Sequence, residues 1–334
     1  MHLHKLGAVV AAFTFGLMTG GAEAQDTVSF GTDWLAQGEH GGFYQAVADG
    51  TYGEYGLDVT IVQGGPQANN TALLAAGKLT FNMGGAIGGL YAVEQGIPIK
   101  HVAAIFQKGP QILMAHPDAG IETFADLAKA DKLILSATVA GTVFEWMKRR
   151  YPEFADVPTQ PYTFSPAPFI ADKQSVQQGY VTSEPFAIER EAGWAPKVFL
   201  LADAGYDPYS TTISTSQALI DSDPDLVQRF VDASIIGWYN YLYGDNSAAN
   251  ELIKKDNPDM SDAQLAFSRD KMKEYGIAVS GDAETQGIGC ITDARSAGFF
   301  EKLVEIGLMK ADLDYTQSYT TQFVCKGVGI DLVR

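Results

Sequence analysis

From residue 28 to residue 106 the chain alternates short β-rich runs with helical stretches, joined by turns of a few residues. Residues 28–34, 57–62, 79–83 and 101–106 read as strands, and 42–55, 70–76 and 84–95 as helices. Successive strands separated by a helix must run parallel, because only a crossover of that length returns the chain in the same direction. The expectation is therefore an α/β fold with helices flanking a parallel sheet. The middle third repeats the rhythm in shorter units, with strands at 112–115, 133–136, 180–182 and 198–201 and helices at 143–150 and 184–191. A β-branched run at 211–214 is expected to return to the first lobe. The last third is mainly helical. Asp223 caps a helix with Pro224 in its first turn, Ser261 caps one over 263–275, and Thr292 caps one that ends near Ile306.

Two sheet-bearing lobes with no low-complexity linker suggest strand crossings between them and a ligand cleft in the gap. The crossings are expected near 106–109 and 209–212. That gives lobes of 26–107 plus 212–334, and 108–211. Residues 1–24 read as a cleavable export signal: Lys5 supplies the positive start, 7–18 the apolar stretch, and Ala22-Glu23-Ala24 the small-x-small site. No cysteine lies there to carry a lipid, so the mature chain is expected free in an exported compartment.

Composition narrows the function. Hydrophobic residues make up 46% of the chain, enough for large cores, and no apolar run reaches the ~18 residues of a membrane span. Forty acidic against 23 basic residues leave a net charge of −17, which excludes a nucleic-acid partner and an anionic membrane surface. The only two cysteines, Cys290 and Cys325, exclude a cysteine-clustered metal site. In an exported chain an even pair is a candidate disulfide, the alternative being two small buried hydrophobes.

Four strand-to-helix turns carry the polar chemistry. The first runs from Asp33 to Tyr44: Trp34 offers a flat face to a planar ligand, and Asp33 and His40 offer hydrogen bonds, with Phe43 beside them. The second, Asn82 to Ala86, places Gly84 and Gly85 where a ligand can approach backbone N–H groups. The third, 136–142, brings the hydroxyls of Thr138 and Thr142. In the fourth, Glu184 ends a strand before Pro185 and can accept hydrogen bonds from an amino group and a ring N–H. Tyr209 precedes the return crossing and can wall the cleft. Each also has a structural reading: core aromatic, turn residue, helix cap or first-turn acid. No His/Cys/Asp/Glu set has metal spacing, no nucleophile elbow is present, and neither a catalytic set nor a cofactor is expected.

At these turns the chain resembles the periplasmic substrate-binding proteins of ABC importers, in the thiamine-pyrimidine-synthase-like branch related to sulfonate, taurine and nitrate binders. The resemblance spans residues 28 to about 306. Its carriers are Asp33-Trp34 with His40-Gly41-Gly42-Phe43-Tyr44, the stretch Gly50 to Val59, Leu74 to Lys78, Gly179 to Pro185, and Asp223 to Val227. It implies a type II periplasmic-binding fold, capture of a small molecule by hinge closure, delivery to a membrane permease, and a monomer. The ligand first implied is a thiamine pyrimidine precursor such as hydroxymethylpyrimidine or its formylamino analogue. Riboflavin or a sulfonate is the alternative. Enzymes of the branch build the pyrimidine from pyridoxal phosphate and a histidine of their own chain, and carry a CCCFC motif before the return crossing. The matching place here, Tyr206 to Ser210, has no cysteine, and the segment Gly85 to Leu90 has neither the lysine nor the histidine. An enzyme is therefore not expected.

Overall fold

A computed structural model describes residues 24–65 and 68–333. The expected export signal lies outside the described residues except for Ala24. Ten strands form two five-stranded sheets: β1 Asp26–Gly31, β2 Leu57–Val62, β3 Phe81–Gly84, β4 Ile99–Phe106, β5 Gln111–Ala115, β6 Lys132–Leu135, β7 Thr159–Pro161, β8 Ser175–Tyr180, β9 Lys197–Leu200 and β10 Ser210–Ser216. The first sheet has the order β2-β1-β3-β10-β4 and the second β7-β6-β8-β5-β9. β1, β2 and β3 are parallel, as the alternation requires, and β10 enters antiparallel between β3 and β4. In the second sheet β6 is parallel to β7 and β8, while β5 is antiparallel to β8 and β9.

The first core forms where one face of the first sheet meets the helix Pro224–Tyr243. Asp223 starts that helix by accepting the Leu226 N–H at 3.0 Å, with proline following it. Its Phe230 ring stacks on Phe81 with centroids 4.1 Å apart, and Phe43 packs 4.4 Å from Phe30. Gly42 is needed for this approach, since a Cβ there would fall 2.2 Å from the Trp238 ring. A second core, with Leu133, Leu135, Trp146, Met147 and Phe154, lies on one face of the second sheet.

Several local expectations change. The first strand stops at Gly31, so Trp34 sits in a loop. The helix expected over 42–55 is two helices, Gly41–Ala48 and Thr51–Glu54, broken where Gly50 takes a φ of 81°. The strand expected at 180–182 ends at Tyr180 instead. Ser261 caps as expected by accepting the Gln264 N–H, but the Thr292 hydroxyl donates to Asp282 and makes no cap.

The chain leaves the first sheet after Phe106 and enters the second at Gln111; it returns between Leu200 and Ser210. Cys290 and Cys325 are bonded, with S–S 2.01 Å. The Cys290 carbonyl accepts a 2.8 Å hydrogen bond from the Gln107 amide in the first crossing, so the disulfide loop is seated against it.

Candidate functional site

The loop after β1 presents Trp34 by fixing its backbone. The Trp34 carbonyl accepts from the Thr32 hydroxyl at 2.8 Å and from the Gly64 N–H at 3.2 Å. Asn70 Nδ2 donates to the Thr32 carbonyl at 2.5 Å, and the Ala36 N–H donates to Gln63 Oε1 at 2.8 Å. The indole itself is half-buried and belongs to neither core. Its ring partner comes from the other sheet's side of the molecule: Phe164, with centroids 4.6 Å apart and planes tilted by 43°. Phe164 is followed at 5.0 Å by the ring of Tyr162, whose hydroxyl donates to Glu184 Oε1 at 3.3 Å. The structure thus gathers the expected aromatic and the expected carboxylate, Trp34 and Glu184, into one cluster through two residues that sequence reasoning missed.

Glu184 is the first residue of the helix Glu184–Ala192, where a carboxylate is favoured by the helix dipole. Its Oε2 accepts the Tyr180 N–H at 2.7 Å. Gly179 leaves room for it, since a Cβ there would lie 2.9 Å from the Glu184 Cβ. Burial pushes the carboxyl up to about 7, and the nearby Glu39 charge adds to the rise. Glu39 is itself fully buried and raised, mainly by desolvation. One of its oxygens accepts the Thr182 hydroxyl; the other has no hydrogen-bond partner among the described residues. The Thr182 carbonyl in turn accepts from the Ser268 hydroxyl at 2.7 Å, so the loop after β1, the turn after β8 and the helix Asp262–Glu274 meet at this point. The charges of Asp33, Glu39 and Glu184 all act on Tyr180, whose hydroxyl is raised chiefly by burial. The cluster is therefore aromatic and acidic.

Other expected residues are placed differently. His40 is fully buried with Nε2 3.3 Å from Asp33 Oδ1, which leaves Asp33 half-open and His40 as its support. Phe43 is core, between Phe30 and Trp238. Tyr209 is buried: its hydroxyl accepts the Thr292 N–H at 3.1 Å and its ring lies 4.2 Å from the Arg295 guanidinium carbon, so it holds the return crossing. Gly84 pairs with Thr212, and beyond Gly85 the Ala86 N–H donates to the Tyr209 carbonyl at 3.1 Å, so that helix end already has a partner. The Thr142 hydroxyl donates to the Thr138 carbonyl at 2.8 Å, while Thr138 is exposed. No hydrogen bond or ring contact among the described residues joins Tyr209, Gly84, Gly85, Thr138 or Thr142 to the Trp34–Glu184 cluster.

The missed residues carried weak signals. Tyr162 and Phe164 alternate after Pro161, but the strand before them, Thr159–Pro161, is too short to be read from a pattern. Glu39 and Thr182 lay inside two of the marked turns, but nothing local tells that they meet. Among the described residues no helix is long and apolar enough to cross a membrane, and no group of three His, Cys, Asp or Glu residues is placed to hold a metal.

Comparisons with known proteins agree with this architecture. The riboflavin-binding protein RibY of Chloroflexus aurantiacus is 27% identical over 301 residues, covering 85% of this chain and 82% of RibY. The periplasmic sulfonate-binding protein SsuA of Methylobacillus flagellatus has a TM-score of 0.65 at 14% identity, covering 93% of this chain and 96% of its own. The desulfurization enzyme DSZB shares the fold at a TM-score of 0.57 and 15% identity, covering 90% and 97% of the two chains. The fold is that of the periplasmic binding proteins, and it serves binders and at least one enzyme. Residues 37–248 match the family model described as NMT1/THI5 like, and the chain belongs to that family.

Proposed function

We propose that this chain is the periplasmic substrate-binding component of an ABC importer, capturing a planar heteroaromatic nutrient as a monomer and handing it to an inner-membrane permease. One observation carries the reading: a backbone-locked Trp34 and an exposed Phe164 stand beside a carboxylate, Glu184, whose remaining lone pairs can accept donors from a ring edge. A sulfonate calls for a cationic or donor-rich site, and Asp33, Glu39 and Glu184 would repel it. Among planar ligands, riboflavin takes first place because RibY, by its name, binds it. A thiamine pyrimidine precursor is the second reading, favoured by the single amino-accepting carboxylate and by the family. An enzymatic role is disfavoured by the absence of cysteine from Tyr206 to Ser210 and of lysine and histidine from Gly85 to Leu90.

The test is calorimetric titration of the mature protein with riboflavin, with 4-amino-5-hydroxymethyl-2-methylpyrimidine and with taurine, beside native mass spectrometry of what co-purifies. Saturable binding of a ring compound and none of taurine is expected; binding of taurine alone overturns the reading. Incubation with pyridoxal phosphate and iron is expected to yield no pyrimidine.

A further inference from the structure

Phe164 belongs to neither core. Its side chain is 48% exposed, so it contributes little to either core. Its backbone lies in the left-handed region, with φ 62°. For a bulky residue that conformation is strained, and glycine or asparagine would adopt it more easily. Strain of this kind persists where a function needs it. The ring makes two contacts, with the buried Tyr162 of its own segment at 5.0 Å and with Trp34 at 4.6 Å.

The segment around it is anchored at both ends. On one side Tyr162 is buried and its N–H donates to the Leu135 carbonyl at 2.9 Å. On the other, Phe169 is fully buried in the helix Ala167–Ala171. Between these anchors residues 163–166 form a short segment outside helix and strand, so side-chain rotation of Phe164, with small compensating changes in the segment's torsions, can part the ring from Trp34 without moving either anchor. The present separation of 4.6 Å admits nothing between the rings. A planar ligand in contact with both faces needs about 7–8 Å, two carbon-to-carbon contact distances.

We propose that Phe164 is a specificity-determining wall of the cleft, a ring that packs on Trp34 and parts from it to sandwich a planar heterocycle. This rests on the reading of the cleft as a ring-binding site and adds the residue that selects rings over aliphatic anions. Its counterpart in the sandwich, Trp34, is fixed by its loop; Phe164 is the adjustable side.

The experiment compares wild type, Phe164→Gly and Phe164→Trp in titrations with riboflavin, the hydroxymethyl aminopyrimidine and taurine, alongside thermal melts. Phe164→Gly is expected to weaken the bound ring compound by about 10- to 100-fold, the value of one lost stacking face. It is expected to melt no lower than wild type, because glycine relieves the backbone. Phe164→Trp keeps an aromatic face and is expected to stay within about threefold of wild type. If wild type binds a ring compound and Phe164→Gly binds it equally well, the proposal is overturned while the functional reading stands. A Phe164→Gly protein that melts lower with unchanged affinity assigns the ring a structural role and overturns it too. If wild type binds neither ring compound, the functional reading fails and this role fails with it.

Discussion

Glu184 couples the cleft to pH in a definite direction. Its carboxyl titrates near 7 in the fold, with burial the main cause, against roughly 4.3 in an unfolded chain. Between these values the folded protein holds a proton that the unfolded chain has released. The contribution to stability is therefore fully present below about pH 4.3 and is lost as pH rises through 7, each tenfold difference in proton affinity amounting to ~1.4 kcal/mol. Glu184→Gln is expected to flatten this part of the stability profile; an unchanged profile would show that the carboxyl is not perturbed. Ligand binding runs the opposite way. Donors on a ring edge favour the ionised carboxylate, so affinity for the ring compound is expected to fall as pH drops below 7, and Glu184→Gln to cost about one to two decades at neutral pH. Glu39, Tyr162 and Tyr180 face the same group, and Glu39 shares the trend because it too is raised. For Trp34→Ala the expectation is at least a tenfold loss of affinity with little change in melting temperature, because the indole lies outside both cores. A sharp drop in melting temperature with affinity intact would return Trp34 to a packing role.

Elements were legible where their chemistry is local. Asp223 with Pro224, and Ser261, announce helix starts because a short acceptor side chain reaches an amide three residues on. The Gly41-Gly42 pair was visible too, but its reason is packing: a Cβ at Gly41 would fall 2.1 Å from the Tyr241 ring. Gly42→Ala is expected to destabilise by ~1–3 kcal/mol through overpacking against Trp238, read in a denaturant melt. β8 was misplaced because Gln177-Gln178-Gly179 looks polar, although Gln177 is fully buried between β5 and β6. Trp34 and Glu184 could be marked from their turns, but their connection through Phe164 and Tyr162 could not, since it depends on how two sheets far apart in sequence face each other. The disulfide followed from an even count in an exported chain. It closes a separation of 35 residues, for which loop entropy gives about 3–4 kcal/mol. Its reduction should lower the melting temperature by several degrees; thiols found free in the unreduced protein would remove this element from the account.

At the scale of the whole molecule, the chain changes sheet at 107–110 and 201–209, and we propose that lobes of 26–107 plus 212–334, and 108–211, turn about these two crossings. One arginine holds both crossings. Arg295, on the helix Asp293–Glu305, donates to the Gln107 carbonyl in the first and to Asp207 at 3.0 Å in the second, and its guanidinium covers Tyr209. Asp207 also accepts the Gly109 N–H at 3.3 Å, and Lys108 pairs with Asp203 at 2.7 Å. The crossings are thus tied to each other and to the C-terminal helix, whose Phe299 packs against the second core. If the lobes close about these crossings, a tie of this kind sets how much of the population stands closed, and apparent affinity scales with the fraction competent to bind. Arg295→Ala removes the charge and the ring contact while leaving Trp34, Phe164 and Glu184 in place. Small-angle scattering should then give a larger particle without riboflavin than wild type gives, and the same compact particle once it is saturated. Affinity should fall by no more than the lost closed fraction, about tenfold for a change of ~1.4 kcal/mol in the closing equilibrium. Scattering profiles identical to wild type in both conditions would show that the crossings need no clasp.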